Sequence, residues 1–133
     1  MSDKIAIIAD DLTGANDSGV QLAKKGLQSI VKFNTESHVQ SNPEALIIDT
    51  DSRALSREEA RRAVYQAASL LFKNGYKHIY KKIDSTLRGN IAVEIKAVAE
   101  VFQPDCIVIA PAYPILHRTT VDGYHYVNGQ LVS

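Results

Sequence analysis

The stretch KKIDSTLRGN, Lys81 to Asn90, gathers lysines, an aspartate, two hydroxyls and an arginine around one turn. Lysine and arginine attract anions, and the planar fork of an arginine bonds both oxygens of a carboxylate. An aspartate accepts from hydroxyl groups or ligates a hard cation such as magnesium. Similar mixtures recur at Asp10-Asp11-Leu12-Thr13-Gly14, at Asp49-Thr50-Asp51-Ser52-Arg53, and at Pro111-Ala112-Tyr113-Pro114 with His117 and Arg118 beyond. Candidate cationic donors are Arg53, Lys82, Arg88 and Arg118. Candidate acceptors are Asp11 and Asp84. Ser85, Thr13 and the backbone N–H groups at helix starts add further donors. A small polyhydroxy acid matches this set, with its carboxylate on the cations and its hydroxyls on the aspartates.

Each motif also has a plainer reading. Asp10 and Asp11 complement a helix dipole. Asp51-Ser52-Arg53 is a solvated turn before a helix cap, and Asp84-Ser85 caps the helix that follows. His38, His78 and His125 have no spacing that resembles a metal site.

The elements that would position these residues alternate strand and helix. KIAIIA (Lys4 to Ala9), QSIVKF (Gln28 to Phe33), EALIIDT (Glu44 to Thr50), HIYKKI (His78 to Ile83) and DCIVIA (Asp105 to Ala110) are compact apolar runs, as in buried parallel strands. Asn34 to Pro43 is polar and reads as loop. A first helix follows Asp11 and stops at Gly26. A second starts at Ser56, with Glu59 at the capping-box spacing. Its apolar face is Ala60, Val64, Ala67, Ala68 and Leu71. A third carries Ile91, Ile95, Val98, Ala99 and Phe102 on one face. Asn128-Gly129 between β-prone residues predicts a hairpin turn, because both tolerate positive φ. The expected fold is α/β: an open, doubly wound, mostly parallel sheet of about five strands in three α/β/α layers, with a C-terminal β-hairpin. Ligands of such sheets bind outside the carboxyl ends of the strands, where the four polar clusters fall.

Composition narrows the classes. The chain has 133 residues, enough for one domain with a core, and its 15 basic residues balance 15 acidic ones. Nothing in that balance favours nucleic acid or an anionic membrane as partner. No apolar run approaches a membrane span and no signal peptide is evident, so a cytoplasmic protein is expected. The single cysteine, Cys106, reads as a buried thiol. There is no G-x-x-x-x-G-K-[ST] or G-x-G-x-x-G phosphate loop, no G-x-S-x-G elbow and no Cys/His zinc cluster.

Taken in order, IADDLTGANDSG, DTDSR, YKKIDSTLRGN and IVIAPAYP…RTTVDGYHYVNG resemble the four-carbon acid sugar kinase family, over nearly the whole chain. The resemblance implies ATP-dependent phosphorylation of threonate, erythronate or their keto derivatives. It makes residues 1–133 a partial N-terminal sugar-acid-binding domain, with a separate nucleotide-binding domain absent from this chain. It implies ATP and magnesium for the complete enzyme, with neither held tightly by this part alone. Carried over by position, the substrate-contacting residues are Asp11, Arg53, Lys82, Asp84, Ser85 and Arg88. Lys82 and Arg88 are placed toward the carboxylate and Asp84 toward a hydroxyl, and Asp11 or Asp84 is the candidate to accept the hydroxyl proton or to orient the hydroxyl. The pattern departs at His117, where the family usually has glycine; an imidazole there is expected to crowd the pocket or to change which acid fits. Partners are expected to be a small sugar acid and either further copies of the chain or the missing domain, because an unfinished domain exposes apolar surface. Alternatives are a binding-only module or split-kinase subunit, and a magnesium-dependent phosphatase using Asp10 and Asp11.

Overall fold

The computed structural model describes residues 4–33 and 43–132. The polar segment read as loop lies almost wholly outside them, as does His38. Four parallel strands form the sheet: β1 (Ile5–Ala9), β2 (Ser29–Lys32), β3 (Ala45–Asp49) and β4 (His78–Lys82), in the order β2-β3-β1-β4. Alternation along the strands divides the core in two. Ile7, Ala9, Ala45 and Ile47 pack with Ala15 of α1 (Leu12–Lys24) on one face. Ala6, Ile8, Leu46 and Ile48 pack against α2 (Arg57–Lys73) and α3 (Ile91–Phe102) on the other. The sheet is therefore doubly wound, as expected.

Local chemistry explains the helix ends. Asp11 lies in extended backbone and its side chain accepts from Gly14 N at 2.9 Å, capping α1. Ser56 and Glu59 close a full capping box on α2. All five residues predicted for the α2 face are buried. On α3 the buried set is Glu94, Ala97 and Val98, so the face is rotated from the predicted one. A glutamate can sit there because Lys81 meets it.

The fifth strand is corrected. Residues 105–110 form no ladder with β4; Val108 is 83% and Ile109 60% exposed. Cys106 is likewise exposed rather than buried. An apolar run reports that a segment needs cover, not which neighbour provides it, and here nothing among the described residues covers its outer side.

The C-terminal part holds more than one hairpin. After a 3₁₀ turn at Pro114–Leu116 come β5 (Arg118–Val121), β6 (Tyr124–Val127) and β7 (Gln130–Leu131), an antiparallel sheet in that order. Asn128 and Gly129 both have positive φ, as the turn requires. Asp122-Gly123 makes the β5–β6 turn in the same conformation, a signal the sequence reading passed over.

Candidate functional site

The register brings the strand ends level. Ala9 pairs with Asp49 on β3 and with Lys82 on β4. The segments that follow, starting at Asp10, Thr50 and Ile83, therefore leave the sheet side by side at its carboxyl edge. Asp11, Arg53, Lys82, Asp84, Ser85 and Arg88, the six residues predicted for the site, all line one open cleft of about 920 Å³. Tyr113 and Arg118 line it too, from the C-terminal part. That volume lies within the usual range for small-molecule sites.

The charges are not equally available. Arg53 is committed at every nitrogen. Its Nε and Nη2 bond the two oxygens of Asp10 at 2.9 and 3.0 Å, and Nη1 meets Asp11 Oδ2 at 2.8 Å. Asp10 is only 2% exposed, so this fork is largely out of water. The bonds to Asp10 hold the Arg53 guanidinium protonated more firmly than usual, against the opposing effect of burial. Arg53 thus sets the position of Asp11 and ties the loops after β1 and β3. Arg88 pairs with Asp84 through Nε at 2.8 Å and Nη2 at 3.1 Å. Asp84 also accepts from Thr86 N and Oγ1 and from Arg88 N, which folds the Ser85-Thr86-Leu87 loop around it. Arg88's hydrogen bonds hold the Asp84 carboxyl well below the usual carboxylate range, although burial opposes them. A carboxylate so stabilised is a weak proton acceptor.

Lys82 and Arg118 are different. Neither has an ion-pair partner among the described residues. Lys82 Nζ donates to Ile83 O at 2.7 Å. It also approaches the space above Gly14, where a Cβ would lie 2.8 Å from Asp11 Oδ1 and 3.5 Å from Lys82 Nζ. Glycine at position 14 is what leaves this opening between the two side chains.

Behind the site runs a buried polar chain that sequence reasoning missed. Lys81 Nζ meets Glu94 Oε2 at 2.8 Å and donates to Lys82 O. Glu94 Oε1 accepts from Ser52 Oγ at 2.7 Å. Ser52 Oγ meets Thr50 Oγ1 at 2.8 Å, and that hydroxyl donates to Ala9 O. The chain links β1, the loop after β3, α3 and β4. The available signal was Glu94, a charge at an apolar position of α3. His125 is a second omission. It is buried, with Nε2 2.7 Å from Ser85 O and Nδ1 3.0 Å from Thr120 Oγ1. His117 is absent from the cleft lining, so it does not crowd the pocket. It has φ 55°, a backbone conformation that favours glycine.

With this geometry in view, the comparisons are specific. A family described as the sugar-binding N-terminal domain matches residues 5–133. The chain belongs to that family. It is 44% identical to a D-threonate kinase of Salmonella typhimurium, over 95% of this chain and 30% of the relative. It is 43% identical to a D-erythronate kinase of Heliobacterium modesticaldum, over 93% of this chain and 29% of the relative. A 3-oxo-tetronate kinase of Escherichia coli is 33% identical, covering 98% of this chain and 35% of the relative. The chain thus spans about a third of the length of these relatives. Among solved structures, a protein from Bordetella bronchiseptica with bound citrate, a domain-swapped dimer, superposes with a TM-score of 0.92 at 34% identity, covering 99% of this chain and 35% of that one. A Haemophilus influenzae protein gives 0.85 at 32% identity, covering 96% and 32%.

Proposed function

We propose that this chain is the substrate-binding part of an ATP-dependent kinase for four-carbon sugar acids: threonate, erythronate or a 3-oxo derivative. The observation that carries this reading is the single cleft that gathers all six motif residues in a chain 44% identical to a D-threonate kinase. That a structural neighbour is described with bound citrate fits a cleft made for carboxylates. The length of the relatives beyond the matched third accommodates a nucleotide-binding unit, which would bring ATP and magnesium. A metabolic kinase of this kind works in the cytoplasm, and no helix among the described residues is long and apolar enough to cross a membrane.

In the proposed reaction a substrate hydroxyl attacks the γ-phosphate of ATP, the bond to the bridging oxygen breaks so that ADP leaves, and the hydroxyl proton passes to Asp11. Catalysis then rests on position and charge. Asp11 is the acceptor that faces the hydroxyl: α1 and Arg53 hold it in place, and it borders the opening above Gly14. Lys82, at the same opening, balances the charge that develops on the transferred group. Arg53 orients Asp11. Asp84 and Arg88, bound to each other, shape the loop that presents Ser85.

Calorimetric titration with D-threonate, D-erythronate, 3-oxo-tetronate and their stereoisomers tests the reading. One acid should bind saturably, and Asp11→Ala should weaken it by about tenfold or more. Absence of binding by any of them to the folded chain would overturn the reading.

A further inference from the structure

Two chemically distinct spots line the cleft. At one, Asp11 and Lys82 face the opening above Gly14. At the other, Arg118 Nη1 donates to Ser85 Oγ at 2.6 Å, while Arg118 Nε is enclosed with no hydrogen-bond partner among the described residues. An enclosed donor without an acceptor is costly and rare, so it marks a missing partner. Elsewhere in the cleft, guanidinium charge is already matched: Arg53 by Asp10 and Asp11, Arg88 by Asp84. Among the described residues Arg118 has only a neutral hydroxyl.

Resting on the proposed sugar-acid reading, we infer that Arg118 is the receptor for the substrate carboxylate, and that it fixes which end of the acid meets Asp11. The planar fork of arginine suits a carboxylate better than a lysine ammonium does. Nε and Nη2, neither of them bonded among the described residues, are the two parallel donors that such a fork offers a carboxylate. The hydroxyl end then extends toward Asp11 and Lys82.

The hairpin that carries Arg118 is held for this purpose. His125 on β6 meets Ser85 O with Nε2 at 2.7 Å. A carbonyl only accepts, so Nε2 carries the hydrogen. Ser85 is therefore gripped twice, at its carbonyl by β6 and at its hydroxyl by β5. In this arrangement Ser85 is the joint between the sheet loop and the hairpin, and His125 is a positioning residue for Arg118.

The test compares the acid that binds best with its uncharged primary amide, by calorimetry on wild type, Arg118→Gln, Arg118→Lys and Lys82→Gln. Wild type should prefer the acid. Arg118→Gln should lower that acid-to-amide preference by about 10- to 100-fold, while Lys82→Gln weakens both ligands together. Arg118→Lys keeps charge without the fork and should lose part of the preference, which serves if the glutamine variant does not fold. A preference unchanged in both Arg118 variants, or abolished by Lys82→Gln, would overturn the inference while leaving the sugar-acid reading intact. Binding of neither ligand by wild type would remove both.

Discussion

At the scale of single residues, the site depends on carboxylates in unequal surroundings. Asp84 is held ionised by Arg88, so its folded pKa is depressed. That stabilisation is present above the ordinary aspartate range and is lost as pH falls below about 4. Asp49 is the reverse case. Burial raises its pKa, partly offset by its bond from Asp51 N, and neighbouring Asp51, Asp11 and Asp10 add to the rise. A raised carboxyl favours the folded state only at low pH, and that advantage fades as pH rises through the folded value. Thermal melts across pH should separate the two. Asp84→Asn should destabilise at pH 7, with the difference from wild type shrinking on acidification. Asp49→Asn, which keeps the acceptor oxygen, should stabilise at pH 7 and have little effect near pH 3. Equal pH profiles for both variants would contradict these assignments. The residue types of the site were legible in the sequence because strand ends were; their division of labour was not. Whether Arg53 faces a ligand or an aspartate depends on where Asp10 points, which spacing alone does not determine.

At the scale of elements, the carboxyl edge is held by the buried chain from Lys81 through Glu94 to Ser52. Breaking a buried ion pair from one side leaves an unpaired charge and costs about 3–5 kcal/mol. Glu94→Ala should lose stability of that order in chemical denaturation. The double variant Lys81→Met, Glu94→Leu should recover much of it, because well-packed apolar replacements tolerate such positions. A double variant no more stable than Glu94→Ala would show that the ion pair, not the packing, is required. Periodicity located α2 and its buried face, since its apolar residues fall on one stripe and its start is capped by Ser56 and Glu59. It misplaced the face of α3 because counting apolar residues alone leaves out Glu94, which is buried with Ala97 and Val98. Its burial follows from Lys81, whose side chain takes the opposite face of β4 from Lys82.

At the scale of the whole molecule, residues 106–110 form the rim of an apolar groove shared with β4 and α3, lined by Ile79, Ile83, Ile95 and Val98 among others. Ile107, Val108 and Ile109 are half or more exposed. Exposed apolar strips of this kind promote association. Light scattering on the isolated chain should show mass rising with concentration, and Val108→Lys should reduce it. A monomer unaffected by concentration would count against this. Doubly wound topology and the C-terminal turn at Asn128-Gly129 were readable from strand-helix alternation and turn chemistry. The missing ladder at 105–110 was not, because a strand exists only where a neighbour completes its hydrogen bonds.

The central claim is that the cleft between Asp11, Lys82, Ser85 and Arg118 receives a four-carbon sugar acid. The most direct measurement is a titration followed by amide chemical shifts in the isotope-labelled chain, with D-threonate or D-erythronate as ligand. The account predicts saturable shifts at Asp11, Gly14, Ser85, Arg88 and Arg118, with Phe72 and Gly75 at the far end of α2 unmoved. Saturable shifts confined to residues 105–110, or none at all in a folded spectrum, would contradict it.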